Sequence, residues 1–477
     1  MRLLIVEDDP TIVAAIAGAF ARGGLSIDLA SVGFLDDAMR AIEGESFDLV
    51  VCDLIIPPTS GGVPAAEHGR AVYERIRLLI PGTPVILFSG LGSITFVAEV
   101  MRTQPHGDPL GTGQNSAMVL FFEKDKLREC VKELERVVKG VAAVDGIELS
   151  YAVDGFDLAP PEKRVIRLAA RRLGATFIRC KPLTGGLSGS RVFDVELHDA
   201  DHSFMGRLAA KVGLVDDVRS ERERFQANVP ARLPPGAFAT FADLVTEGCG
   251  SWGGIFYGLA NGYPRNLFEL AGEQIASAVA VVQRLQTQLR PWVDGAPISA
   301  RDVGDVRRMF LSDANLPKVE GRLNGRRWRD AEGRQIQARR AAQHGDLHGA
   351  NILVNADLHG MLIDFSRVGS YTAATDPTTL ELCVFFHPQA RTLRPPSIDA
   401  AALRHWSDGT YADGTSLEPF THACRNWASG VSAAEGELAA NAYGYAMRQL
   451  AYVDVDPYLD ADLALAVIDS ALAILNR

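Results

Sequence analysis

Short apolar runs alternate with amphipathic segments through the first 140 residues. Leu3-Leu4-Ile5-Val6, Ile27-Asp28-Leu29-Ala30, Leu49-Val50-Val51-Cys52, Val85-Ile86-Leu87-Phe88 and Met118-Val119-Leu120-Phe121-Phe122 read as strands, and stretches such as Pro10 to Arg22 and Leu35 to Ile42 carry helical spacing. Five strands alternating with helices predict an α/β, doubly wound, five-stranded parallel sheet covered on both faces. Glu129 to Lys139 reads as its closing helix. The run after Gly140 shows no helical period and ends in Pro160-Pro161. The expected organisation is therefore a first domain at 1–140, a linker at 141–160 and a second domain whose two lobes occupy 161–262 and 263–477. Within it, Pro161 opens a basic amphipathic helix, EKRVIRLAARRL, whose arginines are expected on a solvated face.

Charge narrows the class. Lys and Arg number 48 against 59 Asp and Glu, a formal charge of −11, so a nucleic-acid partner is not expected. No run approaches the roughly 18 apolar residues of a membrane span, and Leu3 to Val6 passes straight into Glu7, Asp8 and Asp9, unlike a signal peptide. A cytoplasmic protein without membrane contact is expected. Six scattered cysteines without CxxC spacing read as reduced core residues.

In a doubly wound sheet the carboxyl ends of the strands converge on one edge, where ligands bind. Glu7 and Asp8 follow the first predicted strand, Asp53 the third, Ser89 the fourth and Lys124 the fifth. Three adjacent carboxylates repel one another unless a hard cation such as Mg²⁺ neutralises them, and with a hydroxyl and an ammonium beside them they suit a phosphoryl acceptor. LLIVEDD, VVCDLIIP, VILFSG and FFEKD make residues 1–139 resemble the receiver domain of two-component response regulators, a flavodoxin-like fold. The resemblance implies that Asp53 is the phosphoacceptor, that Ser89 and Lys124 are the switch residues, and that Mg²⁺ is bound by Asp8, by Glu7 through water, by Asp53 and by the carbonyl of Ile55. It also implies a sensor histidine kinase or phosphotransfer protein as partner. Two features depart from the pattern: Asp125 stands where a proline usually follows the lysine, and a Gly/Pro-rich insertion, Thr103 to Gly113, lengthens the fourth-helix side.

The second domain opens with a glycine-rich turn, Thr184-Gly185-Gly186-Leu187-Ser188-Gly189-Ser190, between two strand-like runs. Its backbone N–H groups could approach phosphates closely. Lys211 ends the run Arg207 to Ala210 and precedes a charged helix carrying Glu221 and Glu223. The most informative segment is HGDLHGANILVNADLHGMLIDFS, residues 344–366. Ile352 to Val354 and Met361 to Ile363 form a predicted hairpin, which brings Asn351 and Asp364 to its open end about 5 Å apart. An amide oxygen and a carboxylate there suit Mg²⁺ with nucleotide phosphates, and Asp346 lies on the preceding loop where it could take a hydroxyl proton.

HGDLHGAN and IDF resemble the kinase-like phosphotransferases that include aminoglycoside phosphotransferases and choline kinases, an α+β bilobal protein-kinase-like fold. The resemblance implies ATP and Mg²⁺ as cofactors, Asp346 as catalytic base, Asn351 and Asp364 as metal ligands, and nucleotide contacts from Gly185, Gly186, Ser188, Gly189 and Lys211. It pairs Lys211 with Glu221, Glu223 being second choice, and makes Asp376 a structural aspartate. The strand Gly254 to Leu259 would run into an interlobe hinge. His344 and His348 are expected to brace the loop by hydrogen bonds; a zinc pair would lack a third ligand. Arg322 to Arg340 is arginine-rich and reads as a solvated loop face, or else as a dock for an anionic partner. Two functions follow: a phosphotransferase, acceptor unknown, regulated by receiver phosphorylation, or a phosphorelay adaptor whose kinase-like domain binds without catalysing.

Overall fold

The computed structural model describes residues 1–22, 27–90, 94–183, 191–259, 262–454 and 459–477. They form two compact units, one of residues 1–219 and 241–259, the other of residues 220–240 and 260–477.

The first unit begins β1 (Arg2–Val6), α1 (Pro10–Arg22), β2 (Asp28–Val32), α2 (Leu35–Gly44), β3 (Leu49–Cys52), α3 (Ala66–Leu79), β4 (Val85–Ser89) and α4 (Ile94–Thr103). A small hairpin follows, β5 (His106–Gly107) with β6 (Ser116–Ala117), then β7 (Val119–Glu123) and α5 (Leu127–Asp145). The main sheet has the order β2-β1-β3-β4-β7 with every pair parallel, the doubly wound arrangement expected from the strand-helix alternation. Alternate residues enter opposite cores: Leu4, Val6, Val50, Cys52 and Leu87 face one, and Leu3, Ile5, Leu49, Val51, Ile86 and Phe88 the other. Both sets are apolar because helices cover both faces, which is why the strands read as unbroken apolar runs.

The first half of the expected linker is instead regular structure, and residues 152–159 are irregular. Helix α5 runs six residues past Lys139, with Cys130, Leu134, Val137 and Val141 in a core of the parallel sheet and Val144 in the core of the next sheet. Gly140 does not stop the helix. A Cβ there would lie 2.6 Å from Leu110 Cδ1, so the glycine is a seat for the inserted hairpin. Next, β8 (Glu148–Tyr151) pairs in parallel with β9 (Phe177–Pro182), the two being separated by α6 (Pro160–Arg172). With β10 (Arg191–His198), β11 (Phe204–Leu214), helix α7 (Val215–Asn228), β12 (Thr240–Val245) and β13 (Trp252–Gly258), the second sheet has the order β12-β13-β11-β10-β9-β8.

The arginines of α6 are not solvated as expected. Arg171 donates to the carbonyls of Leu110 (2.7 Å) and Gly140 (3.0 Å), and Arg167 to Ile147 (2.9 Å). Arg164 pairs with Asp48 (3.2 Å) and Asp145 (3.1 Å). Arg172 donates to the carbonyls of Asp108 (2.8 Å) and Leu244 (2.9 Å) and lies 3.3 Å from the carboxylates of both Asp108 and Glu247. Asp108 in turn ties the hairpin together, accepting from the N–H groups of Thr112 (2.9 Å) and Gly113 (2.7 Å). Two backbone bonds join Gly82 to the 248–250 turn, at 2.9 and 2.8 Å. Asp48, Gly82 and the hairpin precede β3, β4 and β7. The second sheet therefore packs on the amino-terminal edge of the parallel sheet, at the opposite ends of the strands from Asp53, Ser89 and Lys124.

In the second unit, Arg265–Asn266, Ile352–Val354 and Gly360–Leu362 form one three-stranded sheet, and Ile298–Asp302, Gln335–Gln343 and Gly369–Thr372 another. Helix Thr375–Phe386 is buried at every residue and lies at the centre of the helical core, in contact with helices Glu418–Val431 and Glu435–Leu450. The chain ends in helix Ala461–Leu475, completing the helical part as the apolar period from Glu435 onward predicts. The arginine-rich segment is a solvated face in part, with Arg322, Arg327, Arg329 and Arg340 exposed, and several of its arginines have partners within the chain. Arg326 forks onto Asp469, Arg322 pairs with Asp454, Arg329 with Glu320, and Arg339 donates to the carbonyl of Val431.

Candidate functional site

At the carboxyl edge of the parallel sheet, Asp53 follows β3 and is 2% exposed. Ser89 Oγ, at the end of β4, donates to its Oδ1 at 2.7 Å, and the backbone N–H of Ile55 donates to the same oxygen at 3.0 Å. Lys124 Nζ lies 2.7 Å from Asp53 Oδ2 and 2.9 Å from Glu7 Oε1. Although Asp125 replaces the usual proline, a single 3-10 turn, Lys124–Lys126, carries the chain from β7 into α5 and sets the lysine over the carboxylates. Ligand oxygens of Glu7, Asp8 and Asp53 all lie within 4.8 Å of one another. Burial, with the charge of Asp53, pushes the Glu7 carboxyl up to about 7. Three carboxylates of which two are buried beside one ammonium form an oxygen-rich donor set that fits Mg²⁺.

The second unit holds the other cluster. The hairpin pairs Ile352 with Leu362 and Val354 with Gly360, and the N–H of Ile363 donates to the carbonyl of Asn351 at 3.1 Å. Asn351 and Asp364 thus flank the open end as the sequence predicts. The Asn351 amide nitrogen donates to the carbonyl of Asp346 (3.0 Å) and contacts His348 Nε2 (3.2 Å), leaving its oxygen as the atom a cation would use. Asp364 has φ +60°, a left-handed conformation uncommon for a residue with a Cβ and concentrated at functional sites. An amide oxygen beside a carboxylate fits Mg²⁺ here too.

Below the loop, Asp376 accepts from the N–H groups of His344 (2.7 Å) and Gly345 (2.9 Å). Gly345 has φ +77°, and a Cβ there would meet Arg367 O and the Tyr371 ring at 2.7 Å, so the loop requires glycine. His344 is buried and its Nε2 meets the carbonyl of Ile363 at 3.0 Å. Both histidines therefore hydrogen-bond within the loop. The stacking of His348 on His387, ring centroids 4.5 Å apart, carried no sequence signal. Nor did Arg448, from helix Glu435–Leu450, whose Nη1 lies 2.8 Å from Asp346 Oδ1 and Nη2 3.3 Å from Oδ2. Burial opposes the charged form of Asp346, but the guanidinium beside it holds the carboxyl far below the usual carboxylate range.

In the first unit Lys211 lies inside β11, between Val192 and Ile255, and is 6% exposed. The strand continues to Leu214 because Val212, Gly213 and Leu214 keep pairing with Gly254, Gly253 and Trp252, so Lys211 does not end it. Glu221 is buried and Glu223 exposed. Gly185, Gly186, Ser188 and Gly189 lie outside the described residues.

Residues 3–107 match the response regulator receiver domain family. The transcriptional regulatory protein DltR of Streptococcus agalactiae is 32% identical over 127 residues, 27% of this chain and 48% of DltR. The chain thus spans about half the length of that curated relative. The solved receiver domain (CheY-like) of Methanospirillum hungatei is 19% identical, covering 29% of this chain and 93% of its own, with a TM-score of 0.22. A thermostable mutant of aminoglycoside phosphotransferase APH(4)-Ia, solved with ADP and hygromycin B, is 14% identical, covering 62% of this chain and 93% of its own, with a TM-score of 0.37. The chain thus joins a domain that matches response regulator receivers over residues 3–107 to a mixed six-stranded sheet and a helical part that carries the HGDLHGAN loop.

Proposed function

We propose that this is a signal-transduction protein in which phosphorylation of Asp53 regulates an ATP- and Mg²⁺-dependent phosphotransferase. In the receiver, Ser89 and Lys124 each hold one oxygen of Asp53, the positions from which they would bind phosphoryl oxygens once the carboxylate has attacked. Glu7, Asp8, Asp53 and the carbonyl of Ile55 would hold Mg²⁺, which when bound neutralises the phosphoryl oxygens. The phosphodonor would be a sensor histidine kinase or a phosphotransfer protein.

In the kinase-like domain, Asn351 and Asp364 would hold Mg²⁺ and Asp346 would orient the acceptor hydroxyl and take its proton, while Lys211 would contact nucleotide phosphates. The observation that supports this best is the hairpin register, which brings an amide and a carboxylate to one end, beside the loop that carries Asp346. The Arg448 fork on Asp346 favours a second reading, an adaptor that binds nucleotide and catalyses nothing.

The test compares two variants of the full-length protein. Asp364→Ala should abolish Mg²⁺-dependent ATP binding, whereas Asp346→Asn should leave binding within about threefold and remove turnover, because metal ligation acts in the ground state and proton acceptance in the transition state. Equal loss of binding in both would reverse the roles; binding without turnover in the wild type would favour the adaptor.

A further inference from the structure

Two guanidiniums act on Asp346 within the second unit. Arg448 holds both carboxylate oxygens, and its side chain is only 16% exposed. Arg367, three residues after Asp364, donates its Nη2 to the carbonyl of Met309 at 2.8 Å, while its buried Nε has no hydrogen-bond partner among the described residues. The oxygens that an acceptor hydroxyl must reach are therefore those the Arg448 fork occupies. A hydroxyl could displace that fork only if the guanidinium found another anion, because a largely buried cation left unpaired is costly. Carboxylate and phosphate both match a planar two-pronged donor. A cationic acceptor would instead meet the Arg448 charge at short range.

We infer that Arg448 selects a phosphoryl acceptor bearing an anionic group, a carboxylate or a phosphate, next to its hydroxyl, and that engagement of this group frees Asp346. The inference rests on the phosphotransferase reading and supplies the acceptor class which that reading leaves open. In the transfer, the acceptor hydroxyl oxygen bonds to the γ-phosphorus, the bond from that phosphorus to the β,γ-bridging oxygen breaks to leave ADP, and the hydroxyl proton passes to Asp346. Arg448 contributes binding and positioning. Its fork on Asp346 then becomes the resting state of a live site.

The test uses full-length protein with Mg²⁺ and a non-hydrolysable ATP analogue, titrated calorimetrically with glycerate, glycerol 3-phosphate, glycerol and choline. At least one anionic probe should bind about tenfold or more tightly than glycerol and choline, and which of the two does so separates a carboxylate from a phosphate preference. Arg448→Gln should weaken that probe about tenfold or more and leave glycerol unchanged, and Arg448→Lys should retain part of the affinity. Binding of the ATP analogue by each variant checks that the fold is intact. Preference for choline, no anion binding by the wild type, or equal anion binding by wild type and Arg448→Gln would overturn the inference. Failure of the wild type to bind the ATP analogue at all would instead remove the phosphotransferase reading, and the inference with it.

Discussion

Lys124 and Asp376 show how much single side chains carry. Among the described residues Lys124 is the one cation bridging Glu7 and Asp53, whose side chains are 2% and 3% exposed. Its removal leaves buried carboxylates unpaired, which typically costs about 3–5 kcal/mol, here at the lower end because Lys124 itself is partly exposed. Lys124→Ala should therefore lower the melting temperature in EDTA, and millimolar Mg²⁺ should restore most of it. Equal melting with and without Mg²⁺ would count against Glu7, Asp8 and Asp53 as a cation site. Asp376 gives a pH signature. Burial pushes its carboxyl up to about 6 despite two backbone donors. A raised folded pKa means that the stabilising contribution is complete below about 4 and is lost as pH rises through about 6. Relative to Asp376→Asn, the wild type should lose roughly 3 kcal/mol of stability between pH 4 and pH 7, measured by urea unfolding. A pH-independent difference between the two proteins would place Asp376 in a more polar setting. Of these residues, those on local motifs were legible in the sequence: Asp53, Ser89 and Lys124 each follow a strand, and Asn351 and Asp364 bracket a hairpin. Arg448 was not, because it reaches Asp346 from 102 residues away and a lone arginine in an Ala-rich helix has no local signature.

At the level of elements, the junction between the two sheets departs most from sequence expectation. The period that ends the receiver continues through Val141 and Val144, but Gly140 interrupts it and reads as a stop. Its real reason, the approach of Leu110 from an insertion 30 residues earlier, is a tertiary contact that no local window contains. The arginines of α6 were misread for the same cause: their partners are carbonyls and acids on β12, its following turn, the hairpin and α5. Two outcomes follow. Limited proteolysis should leave residues 141–151 uncut under conditions that cleave a flexible tether, and rapid cleavage there would contradict the extended helix and the strand that follows it. Arg172→Ala, which removes the cation shared by the carboxylates of Asp108 and Glu247 and the carbonyls of Asp108 and Leu244, should destabilise the first unit by about 3 kcal/mol or more in urea unfolding. A change under about 1 kcal/mol would show those acids to be solvated.

Across the whole chain, the point is where a signal at Asp53 can go. Strands β3, β4 and β7 carry Asp53, Ser89 and Lys124 at one end, and at the other meet Asp48, Gly82 and the hairpin that Arg164, Arg171 and Arg172 hold. A shift at Asp53 would have packed strands as its route to the second sheet and would need no release of a tether. Fluoroberyllate with Mg²⁺ should change amide hydrogen exchange in residues 105–117 and 160–172 of the full-length protein, and Asp53→Asn should abolish the change. Exchange altered only around Asp53, with both distal segments unmoved, would show that the receiver signals elsewhere.

The helix shared between two cores also bears on how such a chain can be inherited. A receiver recombined into this protein at residue 140 would have to end in a helix that continues in register to Val144, would bring a side chain where Gly140 admits Leu110, and would lack the hairpin that satisfies Arg172. The receiver and the lobe it supports are therefore expected to diverge as one block, with sequence changes at Leu110, Gly140 and Arg172 tracking one another, while exchange of whole receivers, frequent where a loose tether separates modules, should leave descendants that do not fold.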